Sequence, residues 1–316
     1  MTALSDILHL LFTANLWQAT LTWAVLLLLP ALGGVISERS GVVNIAMEGL
    51  MLIAAFFGVT ADLHWHSAWL GLAVAMLAGA LLASVHAVVS IQFRADQIVS
   101  GIAINIFAAG LTVFLINRIY GLQDVGHIGQ NQLLPNINVP GLNQIPFFGK
   151  VLFDQNVIVY VALIILVLTH VVLFRTRLGL RIRAVGEHPQ AADTAGINVY
   201  VIRYSAVITS GLLCGISGAF LAIGVSNTFT PNMTDGRGYI ALAAMIFGKW
   251  TPFGAFIACV IFGLGQAIYD NNSIIHISPY FLSMLPYILT LVALAGLVGR
   301  SIPPANDGIP YVPGSE

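Results

Sequence analysis

Eight runs of roughly twenty apolar residues recur along this chain and leave it few options. As α-helix, each is long enough to cross about 30 Å of hydrocarbon. The runs lie at Trp17–Ile36, Val42–Thr60, Ser67–Ile91, Gln97–Ile119, Val157–Phe174, Tyr204–Val225, Phe253–Tyr269 and Tyr280–Gly299. Only 8% of the residues are charged, against about 25% in a soluble domain. That is too little polar surface to cover a globule in water. A ninth apolar stretch, Tyr239–Phe247, is too short to span as helix. Either it is re-entrant or it crosses with non-helical flanks, which membranes tolerate only inside protein or along a cavity. The expectation is an all-α integral membrane protein, a polytopic helical bundle of about eight full transmembrane helices plus one short broken or re-entrant helix. It forms a single transmembrane domain, 1–316.

Charge gives the runs a direction. Five of the 12 Lys and Arg residues fall between Phe174 and Arg203, and such clustering marks the cytoplasmic side. Arg39, Arg94, Arg175, Arg177, Arg181, Arg183 and Arg203 are then cytoplasmic, Arg118, Lys150 and Arg237 external, and the N-terminus outside. A crossing short helix also puts Lys249, Arg300 and the C-terminus in the cytoplasm. The external loop 120–156, rich in Gly, Pro and Asn, reads as an ordered cap. The tail 301–316, with Pro303, Pro304, Pro310 and Pro313, reads as flexible. No Lys or Arg precedes Arg39, so the first run lacks the positive flank of a cleavable signal and reads as a retained helix.

The arginine-rich loop, about 176–200, has helix signals of its own. Pro189 suits a first turn and Gly196 a C-terminal stop. Ala191, Ala192 and Ala195 between them would let another surface approach closely. An ordinary amphipathic connector fits these signals equally well.

Polar residues inside apolar runs are the other candidates. Asn44 and Glu48, four apart, would share a helix face. A carboxylate at full membrane depth costs on the order of 2.5–3.5 kcal/mol unless paired or wetted. Glu48 should therefore tie helices together or face a water-filled path. Gln97, Ser100, Asn105 and Asn117 on one helix fit either interhelical ties or recognition of hydroxyls and base edges. His86 and His170 stand alone and read as core residues rather than metal ligands. Gly71, Ala75, Gly79 and Ala83, with Gly211 and Gly215, form stripes for close helix packing. Asp235 and Arg237 could pair at the start of the short helix or meet an external partner. Cys214 and Cys259 read as packing residues, not a disulfide or metal pair. A net charge of −1 suggests no nucleic-acid partner. No phosphate-cradling Gly-rich Lys motif, His-Glu-x-x-His or Gly-x-Ser-x-Gly is present, so no enzyme activity, metal or cofactor is expected.

Three segments carry a resemblance to a known family. Gly179-Leu-Arg-Ile-Arg-Ala-Val-Gly-Glu-His-Pro-Gln-Ala-Ala-Asp-Thr-Ala-Gly-Ile197 resembles the coupling loop of ABC-importer permeases of the ribose and branched-chain amino-acid type. Residues 38–52, Glu-Arg-Ser-Gly-Val-Val-Asn-Ile-Ala-Met-Glu-Gly-Leu-Met-Leu, and residues 236–252 are similar to the subgroup that imports nucleosides. The resemblance implies a bacterial cytoplasmic-membrane importer comprising a second homologous permease subunit, a cytoplasmic ABC ATPase and an external substrate-binding lipoprotein. Glu187, Ala191, Ala192 and Gly196 would then fall on or beside the helix that docks in the ATPase. Asn44, Glu48 and Asn105, polar groups inside apolar runs, are the candidates for the translocation path. A ribose-like sugar permease is the nearest alternative. A secondary transporter or channel is disfavoured, because its spans usually hold several ionisable groups and internal repeats.

Overall fold

The computed structural model describes residues 10–121, 132–138, 140–142, 145–271, 284, 288 and 302–314. In chain order these form α1 (Ala14–Glu38), α2 (Met47–Trp65), α3 (Ala68–Ala87) prolonged by a π turn (Val88–Gln92), and α4 (Gln97–Ile119). A two-stranded antiparallel hairpin, β1 (Asn136–Asn138) and β2 (Asp154–Asn156), encloses α5 (Phe148–Phe153). Then come α6 (Val157–Arg175), α7 (Arg177–Glu187), α8 (Pro189–Thr194) and α9 (Val199–Ala219), the last prolonged by a π turn (Phe220–Val225). α10 (Arg237–Phe247) and α11 (Pro252–Asp270) close the described bundle. Seven of these helices are long and apolar enough to cross a membrane. The expected span Tyr280–Gly299, apart from Met284 and Ile288, lies outside the described residues, as does Arg300.

Burial separates an inner set of helices from an outer one. α1, α2 and α9 bury 72–83% of their apolar windows, whereas α3, α4 and α6 bury only 28–33%. The outer helices turn Leu81, Ile106, Phe114 and Ile164 outward, the surface that lipid would cover. With no hydrophobic gain between helices in lipid, close packing has to hold the inner set together. The small-residue stripes do this within the subunit. A methyl on Gly79 would fall on the carbonyl oxygen of Gly211, and one on Gly211 would fall on Ala83. Gly79→Val should prise α3 from α9 and cost about 3 kcal/mol, read as a lower thermal midpoint of the solubilised protein.

The short stretch crosses rather than turning back. Trp250, just after α10, donates its indole N–H to Glu38 at 2.6 Å, and Arg39 Nε donates to the Trp250 carbonyl at 3.1 Å. α10 therefore finishes at the arginine-rich end. α11 returns to the opposite end, where Trp23 donates to Asp270 at 2.6 Å. Arg39, Arg94, Arg175, Arg177, Arg181, Arg183, Arg203 and Lys249 all lie at the first end.

Two expectations need correction. α2 begins at Met47, not Val42: Gly41 takes a left-handed φ of 87°, and the next five residues are not helical. Asn44 and Glu48 therefore do not share a helix face. The tail was expected to be flexible, yet 302–314 is folded onto the arginine-rich loop, with Tyr311 only 5% exposed.

Candidate functional site

At the arginine-rich end the loop becomes an elbow of two short helices. The Thr176 hydroxyl accepts from the Gly179 N–H and starts α7, whose Gly179, Ile182, Val185 and Gly186 face inward. Gly186 sits on the Arg39 backbone with no room for a side chain. Pro189 opens α8 as the sequence suggests. Gly196, at φ 80°, closes it, and its N–H reaches the Asp193 carbonyl at 2.9 Å. This is the left-handed stop that glycine makes easily. Glu187, Ala191 and Gly196 lie on the outer surface. Ala192 does not: it is 4% exposed and packs with Val185, Val199 and Tyr311. On a helix the next position points about 100° away, and here that step carries Ala192 from the outer face onto the packed one.

The tail's role here leaves no trace in its run of prolines. Asn306 donates its backbone N–H to Gly186 O at 2.9 Å and its amide to Glu187 O at 2.6 Å. The Glu187 carboxylate accepts from the Ala305 N–H at 3.2 Å. Arg203, counted from sequence among the loop arginines, is 1% exposed and donates to the Ile309 carbonyl at 3.0 Å. Asp307 hydrogen-bonds, carboxyl to carboxyl, with Glu38, the same group that accepts from Trp250. The tail thus links the elbow to the ends of α1, α9 and α10.

Burial pushes the Asp307 carboxyl up to about 7, while Glu38, Arg203 and the Gly308 backbone pull it back. Its folded value exceeds its unfolded one, so its contribution is full at acid pH and fades as pH rises through about 7. A spin label on Pro313→Cys should therefore gain mobility as pH rises from about 4 to about 7.5, and Asp307→Asn should flatten that change.

A second polar assembly lies deeper, where α2 and α10 both begin inside the bundle. The non-helical residues before α2 need partners for their peptide groups, and side chains supply them. Gln97 accepts from the Val43 N–H at 2.7 Å, His86 Nε2 lies 3.0 Å from Val43 O, and Ser37 donates to Val42 O at 2.7 Å. Asn44 accepts from the Ala46 N–H at 3.2 Å and donates to Ser210 at 2.8 Å. Asn105 accepts from the Gly49 N–H at 2.8 Å and donates to Ile45 O at 3.0 Å and to the Tyr239 hydroxyl at 2.9 Å. Irregular backbone at membrane depth needs such side-chain partners.

Glu48 closes the assembly. Its two carboxylate oxygens accept from the N–H groups of Gly236 and Gly238, at 2.9 and 2.7 Å. These are orphan donors at the positive end of α10, where a carboxylate is stabilising. Gly238 can come this close because a side chain there would overlap the Glu48 backbone. Arg237 turns to the carbonyls of Met233 and Thr234, at 3.0 and 3.2 Å, and its guanidinium carbon stands 4.9 Å from the Trp23 ring centre. Asn44, Glu48 and Asn105 thus belong to one hydrogen-bonded assembly, although the shared helix face that suggested two of them does not exist. Tyr239 was missed. Its only trace in the sequence is its place after Gly236-Arg-Gly, at the mouth of a helix too short to span. Interrupted helices meeting at depth are the usual setting of transport sites.

The comparisons agree on one family. Residues 17–294 match the family described as branched-chain amino acid transport system / permease component. The chain is 45% identical to the guanosine ABC transporter permease protein NupQ of Bacillus subtilis (strain 168), over 94% of its own length and 96% of that relative. It is 42% identical to the nucleoside ABC transporter permease protein NupC of Lactococcus lactis subsp. cremoris (strain MG1363), over 92% and 95%. It is 34% identical to the putative glucose ABC transporter permease protein TsgC13 of Haloferax volcanii, over 92% and 93%. No solved structure matches it. With seven spanning helices described and this similarity over nearly its whole length, the chain is a multi-pass membrane protein belonging to the branched-chain amino acid transport system permease family.

Proposed function

We propose that this chain is the membrane-spanning subunit of an ATP-driven importer of nucleosides. What carries the reading is its near full-length similarity to two nucleoside-named permeases, at 45% and 42% identity. The arginine-rich end faces the cytoplasm, because basic residues are retained there; the N-terminus then lies outside and the tail inside. A cytoplasmic ABC ATPase docks on the outer face of the elbow, meeting Glu187, Ala191 and Gly196, with Ala192 as packing behind them. A second homologous permease completes the pathway, and an external binding lipoprotein delivers the substrate.

ATP closes the motor and displaces the elbow. Two connections lead inward from there: directly along α9, and through the tail to Glu38, Trp250 and the end of α10. The Glu48–Gly236–Gly238 junction lies at the far end of α10, where a shift of that helix would open or close the path beside Asn105 and Tyr239. Hydrolysis itself belongs to the partner ATPase.

Uptake of labelled guanosine, uridine, ribose and glucose by cells with and without the gene tests the reading. Loss of nucleoside uptake alone is expected. Loss of sugar uptake with nucleoside uptake intact would instead favour the role named in the Haloferax relative.

A further inference from the structure

At the end opposite the elbow, a cavity of about 340 Å³ opens between α1, the β hairpin, the π turn after α9 and the end of α11. We infer that this cavity is a nucleoside pocket on the outer side of the permease; the inference rests on the nucleoside reading above. Its chemistry sets it apart from two neighbours of similar size. The cavity of about 350 Å³ between α1, α6, α7 and α9, lined by residues such as Ile165 and Leu173, is largely apolar. So is the one of about 380 Å³ between α2, α3 and α4. Lipid suits both.

The outer cavity is lined by Asn15, Gln18 and Thr22, which recur on one face of α1. Gln155 faces them and is 3% exposed. Its amide is fixed by bonds to Val151 O at 2.9 Å and Gln18 O at 3.3 Å, and the Thr22 hydroxyl donates to it at 3.3 Å. Gln18 in turn donates to Asp154 O at 2.6 Å. The polar wall is therefore held in place before any ligand arrives. Asp270 adds a carboxylate that accepts from Trp23 at 2.6 Å and Gln266 at 3.2 Å.

This lining selects by charge and by shape. Asp154 and Asp270 line the cavity, and the Asp270 carboxylate, which Arg237 only partly offsets, favours a ligand rich in O–H and N–H donors over a phosphate. Amides supply both donors and acceptors for a base edge. The indole of Trp23 offers an aromatic surface, and the volume lies in the range of small-molecule sites. A neutral nucleoside meets all of these; a nucleotide fails on charge. The pocket also adjoins the deeper assembly: Trp23 lies under Arg237, and Gly236 and Gly238 on either side of that arginine are the groups Glu48 holds. A ligand against Trp23 thus sits one residue from the start of α10.

The chain's own cysteines, Cys214 and Cys259, are both fully buried, so a thiol reagent reports on a cysteine introduced into the cavity. Thr22→Cys, deep in the cavity, and Asn15→Cys, at its exposed rim, are each made in the complete transporter in proteoliposomes and exposed to a small thiol reagent. Guanosine at roughly ten times its dissociation constant should slow labelling about tenfold, as the free fraction falls. Guanosine monophosphate should not, and Asp270→Asn should weaken the protection. Undiminished labelling of both cysteines in vesicles that still take up guanosine overturns the pocket and leaves the function standing. Absence of guanosine uptake by the unaltered transporter overturns the function, and the pocket's ligand with it.

Discussion

Glu48→Ala is expected to destabilise the protein by about 3–5 kcal/mol and to abolish nucleoside uptake, since each hydrogen bond to a charged group is worth about 1.5–3 kcal/mol. The Gly236 and Gly238 N–H groups, now 2.9 and 2.7 Å from the carboxylate, would be left without an acceptor at depth, where water is scarce. Glu48→Gln separates charge from shape. Its amide oxygen keeps one N–H, but its NH₂ group faces the other, donor against donor. It should therefore recover less than half of the lost stability. Thermal unfolding of the solubilised protein, alongside uptake, measures both effects. An unchanged midpoint for Glu48→Ala would show that the carboxylate does not hold the start of α10.

A contrast between adjacent alanines carries the second large effect. Ala191→Glu adds a charge on the outer face of α8 and touches nothing in the subunit, so folding should be unaffected. If that face meets the ATPase, co-purification should fall at least about 30-fold, the effect of disrupting an interface hot spot by 2 kcal/mol or more. Ala192→Glu instead places a carboxylate among Val185, Val199 and Tyr311. An unpaired buried charge costs several kcal/mol, so the elbow should unpack and the tail come loose before docking is even attempted. ATPase retention that is undiminished by Ala191→Glu sinks the docking face. Normal folding of Ala192→Glu sinks the packing assignment.

Much of the architecture was legible because it rests on local physics. A continuous apolar run is a helix in lipid whatever surrounds it, and five of the seven described full spans start within about four residues of the expected positions. Of the other two, α2 begins five residues late, at Met47, and α9 five residues early, at Val199 rather than Tyr204, where the Asn198 side chain caps it by accepting from Val201 N at 3.0 Å. The elbow helix was legible too, since proline and glycine mark its ends. Its facing was not, because Ala191 and Ala192 are chemically identical and only packing against Tyr311 tells them apart. That contact joins residues more than a hundred positions apart, and a run of prolines gives no hint of it.

The sequence by itself determined the membrane-spanning helices, the end that gathers positive charge and, through three segments, the family. Each of these is encoded within a few consecutive residues. Only the tertiary structure decided that α2 starts at depth, that Glu48 caps α10, that Arg203 is buried and that the tail grips the elbow. In each case the deciding partner lies far along the chain. In lipid an unsatisfied polar group is too costly to leave alone, but which group satisfies it depends on how the helices are arranged around it.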